Sequence, residues 1–266
     1  PLILIAGYGA DIAGWSPEFV ERLAASHRVI LFDNRGAGYS DKPDTPYSMS
    51  IFAADTVAVL DALGIDQAHV LGVSMGGMTA QHVGLNYPQR VRSLILACTA
   101  AAAVEGPQAV MPDPAIMAEL TKPPSGDRAQ DIRDGWSLNF TEHFIVNHAD
   151  FLERHLHARL NYPVMPVYAV QHQLHAIVTT HNAYDRLPEI RCPVLIQFGS
   201  VDRLVPPVNS RIIASRIPHA QLIEYPGCPH GFIEEATEQV AADMLSFIQE
   251  VEGISRRAED RQASPA

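Results

Sequence analysis

A serine, an aspartate and a histidine stand in this chain where acyl-transfer chemistry needs them. Gly72-Val73-Ser74-Met75-Gly76 is a G-x-S-x-G between an apolar run that reads as a strand and a stretch that reads as a helix. That is the context in which the motif presents a nucleophile. Small residues around Ser74 permit a tight strand-to-helix turn that pushes the hydroxyl out of the sheet. The helix start behind it offers free N–H groups where an oxyanion would form. A serine hydroxyl attacks poorly without a base. Asp202, in Phe198-Gly199-Ser200-Val201-Asp202, and His230, in Pro226-Gly227-Cys228-Pro229-His230-Gly231, can activate it. Each follows a strand-like run, so both fall in loops at the carboxyl ends of strands, the edge where open α/β sheets bind ligands. A serine that only caps a helix needs no glycine on either side. Cys228, close to His230, has no base of its own and reads as a small apolar residue.

The elements that must position these residues alternate in type. Leu2–Ala6 reads as a strand, Pro17–Ser26 as a helix with Phe19, Val20 and Leu23 on one face, and Arg28–Asp33 as a strand running into the Gly-rich loop Asn34–Ser40. Ser50–Leu63 reads as a helix with Ser50 as its N-cap and Gly64 past its end. His69–Val73 is a strand, Met75–Tyr87 a helix closed by Pro88, and Val91–Ala97 a strand. Continuous apolar strands separated by helices imply a parallel sheet covered on both faces. From about Ala100 to Leu187 the alternation stops. Seven of the 12 histidines fall between His143 and His181, amid prolines and helical stretches. It resumes with Val194–Gly199, Val208–Arg216, Gln221–Tyr225 and Glu234–Val251. The expected organisation is therefore a core of 1–99 and 188–251, a helical cap of 100–187, and a flexible tail of 252–266. Phe140, Phe144, Ile145, Leu156, Leu160, Val164, Met165, Tyr168 and Leu174 are candidate pocket walls supplied by the cap. The apolar opening at Pro1, without Met, predicts a segment upstream.

Composition narrows the functional class. The 266 residues are 47% hydrophobic and 18% charged, with a net charge of −11. A chain of this size buries about three quarters of its unfolded surface. Its acidity disfavours nucleic acid and anionic lipid as partners. No apolar run reaches the roughly 18 residues of a membrane span. Cys98, Cys192 and Cys228 are too few and scattered for a disulfide framework or zinc cage. They read as reduced, which fits a cytoplasmic protein, with a secretory leader left open. His172 and His175 share a helix face, as do His148 and His155, but no acidic residue completes a zinc-binding spacing. No metal and no organic cofactor is expected.

The chain resembles the α/β-hydrolase superfamily over nearly its whole length. The resemblance rests on Ala6-Gly7-Tyr8-Gly9, Asp33–Ser40, Gly72–Gly77, Gly199–Asp202 and Pro226–Gly231. Within it, the core and Tyr184-Asp185-Arg186-Leu187-Pro188 are similar to the enol-lactonase and aclacinomycin methylesterase-like branch. The resemblance implies an α/β-hydrolase fold, a mostly parallel sheet with helices on both faces and a helical cap insertion. It implies Ser74 as nucleophile, His230 as base and Asp202 as the group orienting it, with an oxyanion hole from the Tyr8 and Met75 N–H groups. Gly7, Trp15, Trp136 and His181 are the candidate substrate contacts, His181 because that branch often has a histidine before its Tyr-Asp-Arg-Leu segment. Relatives usually carry His-Gly where this chain has Ala6-Gly7, so that histidine's contribution to holding the loop is absent. Serine rather than aspartate at 74 excludes the haloalkane dehalogenase and epoxide hydrolase readings.

The expected function is hydrolysis of an ester or lactone of a small apolar compound through an acyl-Ser74 intermediate, by an enzyme compatible with a homodimer. A carbon–carbon bond hydrolase or a cofactor-free perhydrolase would use the same triad. A slow-turnover receptor on the same fold stays open as a reading from another class. Because His230 must be neutral to act, acyl transfer is expected to fail in acid with an apparent pKa of about 6–7.

Overall fold

The computed structural model describes residues 1–263, with side chains through residue 253. The first half alternates as expected: β1 (Leu2–Ile5), α1 (Pro17–Ala24), β2 (Val29–Leu31), α2 (Met49–Ala62), β3 (Ala68–Val73), α3 (Met75–Asn86) and β4 (Val91–Ala97). Six helices then follow without a strand: α4 (Pro114–Leu120), α5 (Arg128–Asp134), α6 (Trp136–Asn139), α7 (Glu142–Asn147), α8 (Ala149–Leu160) and α9 (Val167–Thr180). The alternation returns with β5 (Val194–Gly199), α10 (Val208–Arg216), β6 (Gln221–Tyr225), α11 (Phe232–Glu235) and α12 (Thr237–Ala263). Two expectations shift. α2 is capped by Ser48, whose hydroxyl accepts from Ile51 N, and not by Ser50. α12 passes the expected end at Val251, and the tail assigned to 252–266 falls mostly outside the residues whose side chains are described.

The strands form one sheet in the order β2-β1-β3-β4-β5-β6, and every pairing is parallel. Successive side chains of a strand point to opposite faces, and the core divides accordingly. Ile3 and Ile5 of β1 join Val57 and Leu60 of α2, Val83 of α3 and Ile213 of α10 on one face. Leu2 and Leu4 join Phe19 and Leu23 of α1 and Val240, Met244 and Phe247 of α12 on the other. Both faces of β1, β3 and β5 are buried, which is why their sequences are largely apolar and not alternating, whereas the edge strand β6 is mostly exposed and carries Gln221 and Glu224.

This strand order also fixes where a site can form. The chain goes from β1 outward to β2 and then back to β3 on β1's other side, so the order reverses between β1 and β3. Ile5 pairs with Gly72 at that seam, and the loops beyond them emerge together, the crevice where such sheets bind ligands. Likewise Gly199 pairs with Tyr225, bringing together the loops that carry Asp202 and His230. α9 seats the inserted helices on this edge. Its Ala169 and Ala176 pack with Tyr47, Phe52, Met75 and Met78, and Thr180 Oγ1 accepts from Met49 N at 3.0 Å. Among the described residues, no helix is long and apolar enough to cross a membrane.

Candidate active site

Ser74 sits at the corner between β3 and α3 with φ 57°, a conformation that costs a non-glycine residue roughly 1–3 kcal/mol and persists only when its surroundings impose it. Backbone and a threonine hydroxyl hold it. Ser74 N–H donates to Ala97 O at 2.9 Å, and Thr99 Oγ1 donates to Ser74 O at 2.8 Å. The two motif glycines have steric causes. A Cβ on Gly72 would strike the Gly76 carbonyl, and one on Gly76 would strike the carbonyl of Ile5. Strand, corner and helix therefore pack too closely for side chains at those points.

Asp202 and His230 form a buried pair, with Asp202 Oδ2 2.7 Å from His230 Nδ1. Asp202 Oδ1 accepts from Leu204 N and Val205 N at 2.8 and 2.9 Å, which fixes the carboxylate in its own loop. The two loops are stitched by Val201 N–H to Cys228 O at 3.1 Å and Gly227 N–H to Ser200 Oγ at 2.8 Å. The insertion holds the histidine loop from the other side, through Gly231 N–H to Asn139 O at 2.7 Å. Burial is the largest single influence and opposes charge on His230, but the Asp202 carboxylate and the Cys98 sulfur together outweigh it and hold the imidazole well above its ordinary pKa.

Ser74 and His230 line one cavity of about 700 Å³ between the sheet edge and the insertion. Among the described residues Ser74 Oγ has no hydrogen bond. His230 Nε2 lies 3.9 Å from Cys98 Sγ, a fully buried thiol at the end of β4. Cys98, unlike Cys228, lies in no sequence motif, and its place after β4, on the edge that carries Ser74, is the signal that marks it. Cys98, Asp202 and His230 bring donor atoms within 4.8 Å of one another. Asp202 and His230 are already bonded to each other, however, and burial raises the Cys98 thiol pKa. The set suits proton transfer better than metal ligation.

Gly7 passes beside the nucleophile: a Cβ placed on it would lie 3.4 Å from Ser74 Cβ. Tyr8 follows it, and Met75 opens α3. Among the described residues, neither backbone N–H has a protein acceptor. Gly7, Trp15 and Trp136 all line the cavity. His181 does not. It is 3% exposed, its Nε2 3.0 Å from Ala100 O and its Nδ1 3.3 Å from His82 Nε2. Burial drives its pKa down to about 3, so it is a neutral core histidine. The substrate contact expected there is corrected.

Phe140, Met165 and Leu174 line the cavity as expected, whereas Ile145, Leu160, Val164 and Tyr168 do not, and Phe144 and Leu156 are buried within the insertion. Two titratable residues also line the cavity, His155, one of the cap histidines, and Glu234, which carries no motif signal in the sequence. His155 is kept neutral by burial and by Arg159, with a pKa near 4, and Glu234 is raised by burial to about 7.

The chain is similar to known proteins along most of its length. Rhodomycin D methylesterase DnrP of Streptomyces peucetius is 31% identical over 265 residues, spanning 91% of this chain and 88% of that protein. The provisionally named carbamate hydrolase RutD of Caulobacter sp. is 31% identical over 255 residues, spanning 93% and 90%. The crystal structure of the enol-lactonase from Burkholderia xenovorans shares the fold, with a TM-score of 0.77 at 22% identity over 93% of this chain and 90% of that one. The family model described as alpha/beta hydrolase fold matches residues 1–237. With that match across most of its length and relatives nearly a third identical along nine tenths of it, this chain belongs to the alpha/beta hydrolase family.

Proposed function

We propose that this hydrolase cleaves carboxylic esters or lactones through an acyl intermediate on Ser74. The observation that carries the proposal is that the strained Ser74 corner and the buried Asp202–His230 pair open onto one cavity. His230 Nε2 takes the Ser74 proton as the oxygen attacks the acyl carbon, and Asp202 keeps the imidazole oriented and stabilises its charged form. A hydrogen bond from Ser74 to His230 forms as substrate binds; such bonds are often long or misaligned in free enzymes. The Met75 and Tyr8 N–H groups receive the developing oxyanion, and loss of one donor of this kind costs about 10²–10³-fold in rate. His230 then returns the proton to the leaving oxygen, and water activated by the same residue releases the acid.

The substrate class follows from the cavity. Its walls are mostly apolar, as in sites for small organic compounds, with Trp15, Trp136, Phe140, Met165 and Leu174 among them. The division into a core of 1–99 and 188–251 and a cap of 100–187 belongs to the same proposal, supported by the six helices between β4 and β5. Steady-state hydrolysis of short-chain aryl esters tests the reading. Ser74→Ala is expected to lower kcat by about 10⁴-fold or more. A variant that keeps native turnover would remove Ser74 from the chemistry.

A further inference from the structure

The turn that carries Tyr8 is held from outside the sheet. Ala10 N–H donates to Gly7 O at 3.3 Å, closing the turn, and Gly9 has φ 65°, a region glycine enters without steric cost. Ala6, ahead of the turn, has only a methyl side chain, and its carbonyl accepts from Asn34 Nδ2 at 3.0 Å. Both polar groups of Gly9 are taken by the inserted helices. Gly9 N–H donates to Gln173 Oε1 at 2.9 Å, and Arg159 Nη2 donates to Gly9 O at 3.1 Å. Gln173 lies within α9 and Arg159 at the end of α8, so two separate helices converge on one residue of the turn.

The side chain at 173 is costly for a merely structural position. Gln173 is fully buried, and among the described residues its Nε2 has no partner. Burying an unsatisfied amide is unfavourable, and an apolar side chain of the same shape would avoid it. What the glutamine supplies is the acceptor for Gly9. Arg159 is half-buried, with desolvation pushing its guanidinium pKa down, and its buried Nε is also without a partner among the described residues. A second tie runs parallel: Ile12 N–H donates to Asp33 Oδ1 at 2.8 Å, and Tyr162 OH from the α8–α9 connection donates to Asp33 Oδ2 at 2.9 Å.

We propose that Gln173 and Arg159 are positioning residues that clasp Gly9 and so hold the Tyr8 N–H where the oxyanion forms. This rests on the role given above to Tyr8. The clasp couples the seating of the cap to the oxyanion hole: when α8 and α9 are docked, the turn is fixed from both sides of Gly9, and when they lift, Tyr8 loses its aim.

Gln173→Met keeps the shape and removes the acceptor, while Gln173→Glu keeps an acceptor oxygen at the same reach. With a short-chain aryl ester, Gln173→Met is expected to lower kcat and the acylation rate by about ten-fold or more, short of the ~10²–10³-fold of a deleted donor. KM is expected to stay within about two-fold, because ground-state binding does not use the oxyanion donors. Phenylboronic acid, a tetrahedral-adduct probe, should bind more weakly by a factor similar to the loss in kcat. Tm should not fall, Gln173→Glu should recover most of the rate, and hydrogen exchange at the Gly9 amide should quicken in Gln173→Met alone. Native kcat and boronate affinity in Gln173→Met, despite faster Gly9 exchange, would overturn the clasp's role in catalysis. So would a rate loss matched by a fall in Tm and not recovered by Gln173→Glu. Native protein that turns over no ester would instead refute the esterase reading, with the Gly9 exchange still reporting whether the clasp exists.

Discussion

At the scale of single residues, the most informative group is His230. It works as a base only when neutral. Burial, the largest single influence, disfavours the charged ring, but its pKa in the fold lies well above 6.5 because the Asp202 carboxylate and the Cys98 sulfur together favour that form more. The inactive, protonated form therefore persists to higher pH than the ordinary imidazole value allows. kcat/KM should begin to fall while the pH is still above 6.5, and not only at the 6–7 expected from sequence. Asp202→Asn removes the favourable charge and leaves burial, so the acid limb should move below its native position, with kcat reduced by about 10⁴-fold. A pH–rate profile of both proteins checks this; an unchanged limb in Asp202→Asn would break the assignment. The same shift enters stability. A raised folded pKa stabilises the fold below the unfolded value of about 6.5, and that contribution is lost as pH rises through the folded pKa. The Asp202–His230 pair therefore contributes less to folding stability in alkaline solution.

At the scale of elements, the corner between β3 and α3 depends on missing side chains. A methyl group on Gly76 meets the backbone carbonyls of Ile5 and Ala6, which cannot give way without moving β1. Gly76→Ala is expected to cost more than about 3 kcal/mol in urea denaturation, among the larger single-residue effects. The start of α2 offers a milder contrast. Ser48→Ala should cost about 1 kcal/mol, while Ser50→Ala, which removes no cap, should fall within about 0.5 kcal/mol. Two serines two residues apart are equally good caps on paper, and only the backbone decides between them. β4, β5, β6 and α10 were legible to the residue, since an apolar run or an amphipathic stretch between turn residues is a local signal. Gln173, Arg159 and Cys98 were not, because their roles arise from contacts with residues 132 to 164 positions away in the chain. His181 was misread for the same reason: neighbouring motif residues placed it near the site, but burial against His82 and Ala100 decides what it touches.

At the scale of the whole molecule, a parallel sheet supplies the reacting groups from one edge, and the inserted helices close a cavity of about 700 Å³ over them. The apolar walls make acyl length a measure of that space. For aryl esters, kcat/KM should rise about four-fold per added methylene, the equivalent of about 0.8 kcal/mol of burial, until the cavity is filled and then fall. A flat series would mean that the acyl chain does not enter it. The central claim, a covalent acyl group on Ser74, is tested most directly by mixing the protein with excess aryl ester and quenching in acid within milliseconds. Chromophore release and the intact mass are then followed together. The expected result is a burst of one equivalent per active site, with the acyl mass carried by the peptide containing Ser74 and both signals absent in Ser74→Ala. A burst whose acyl group lies on another residue, or one that survives in Ser74→Ala, would contradict it.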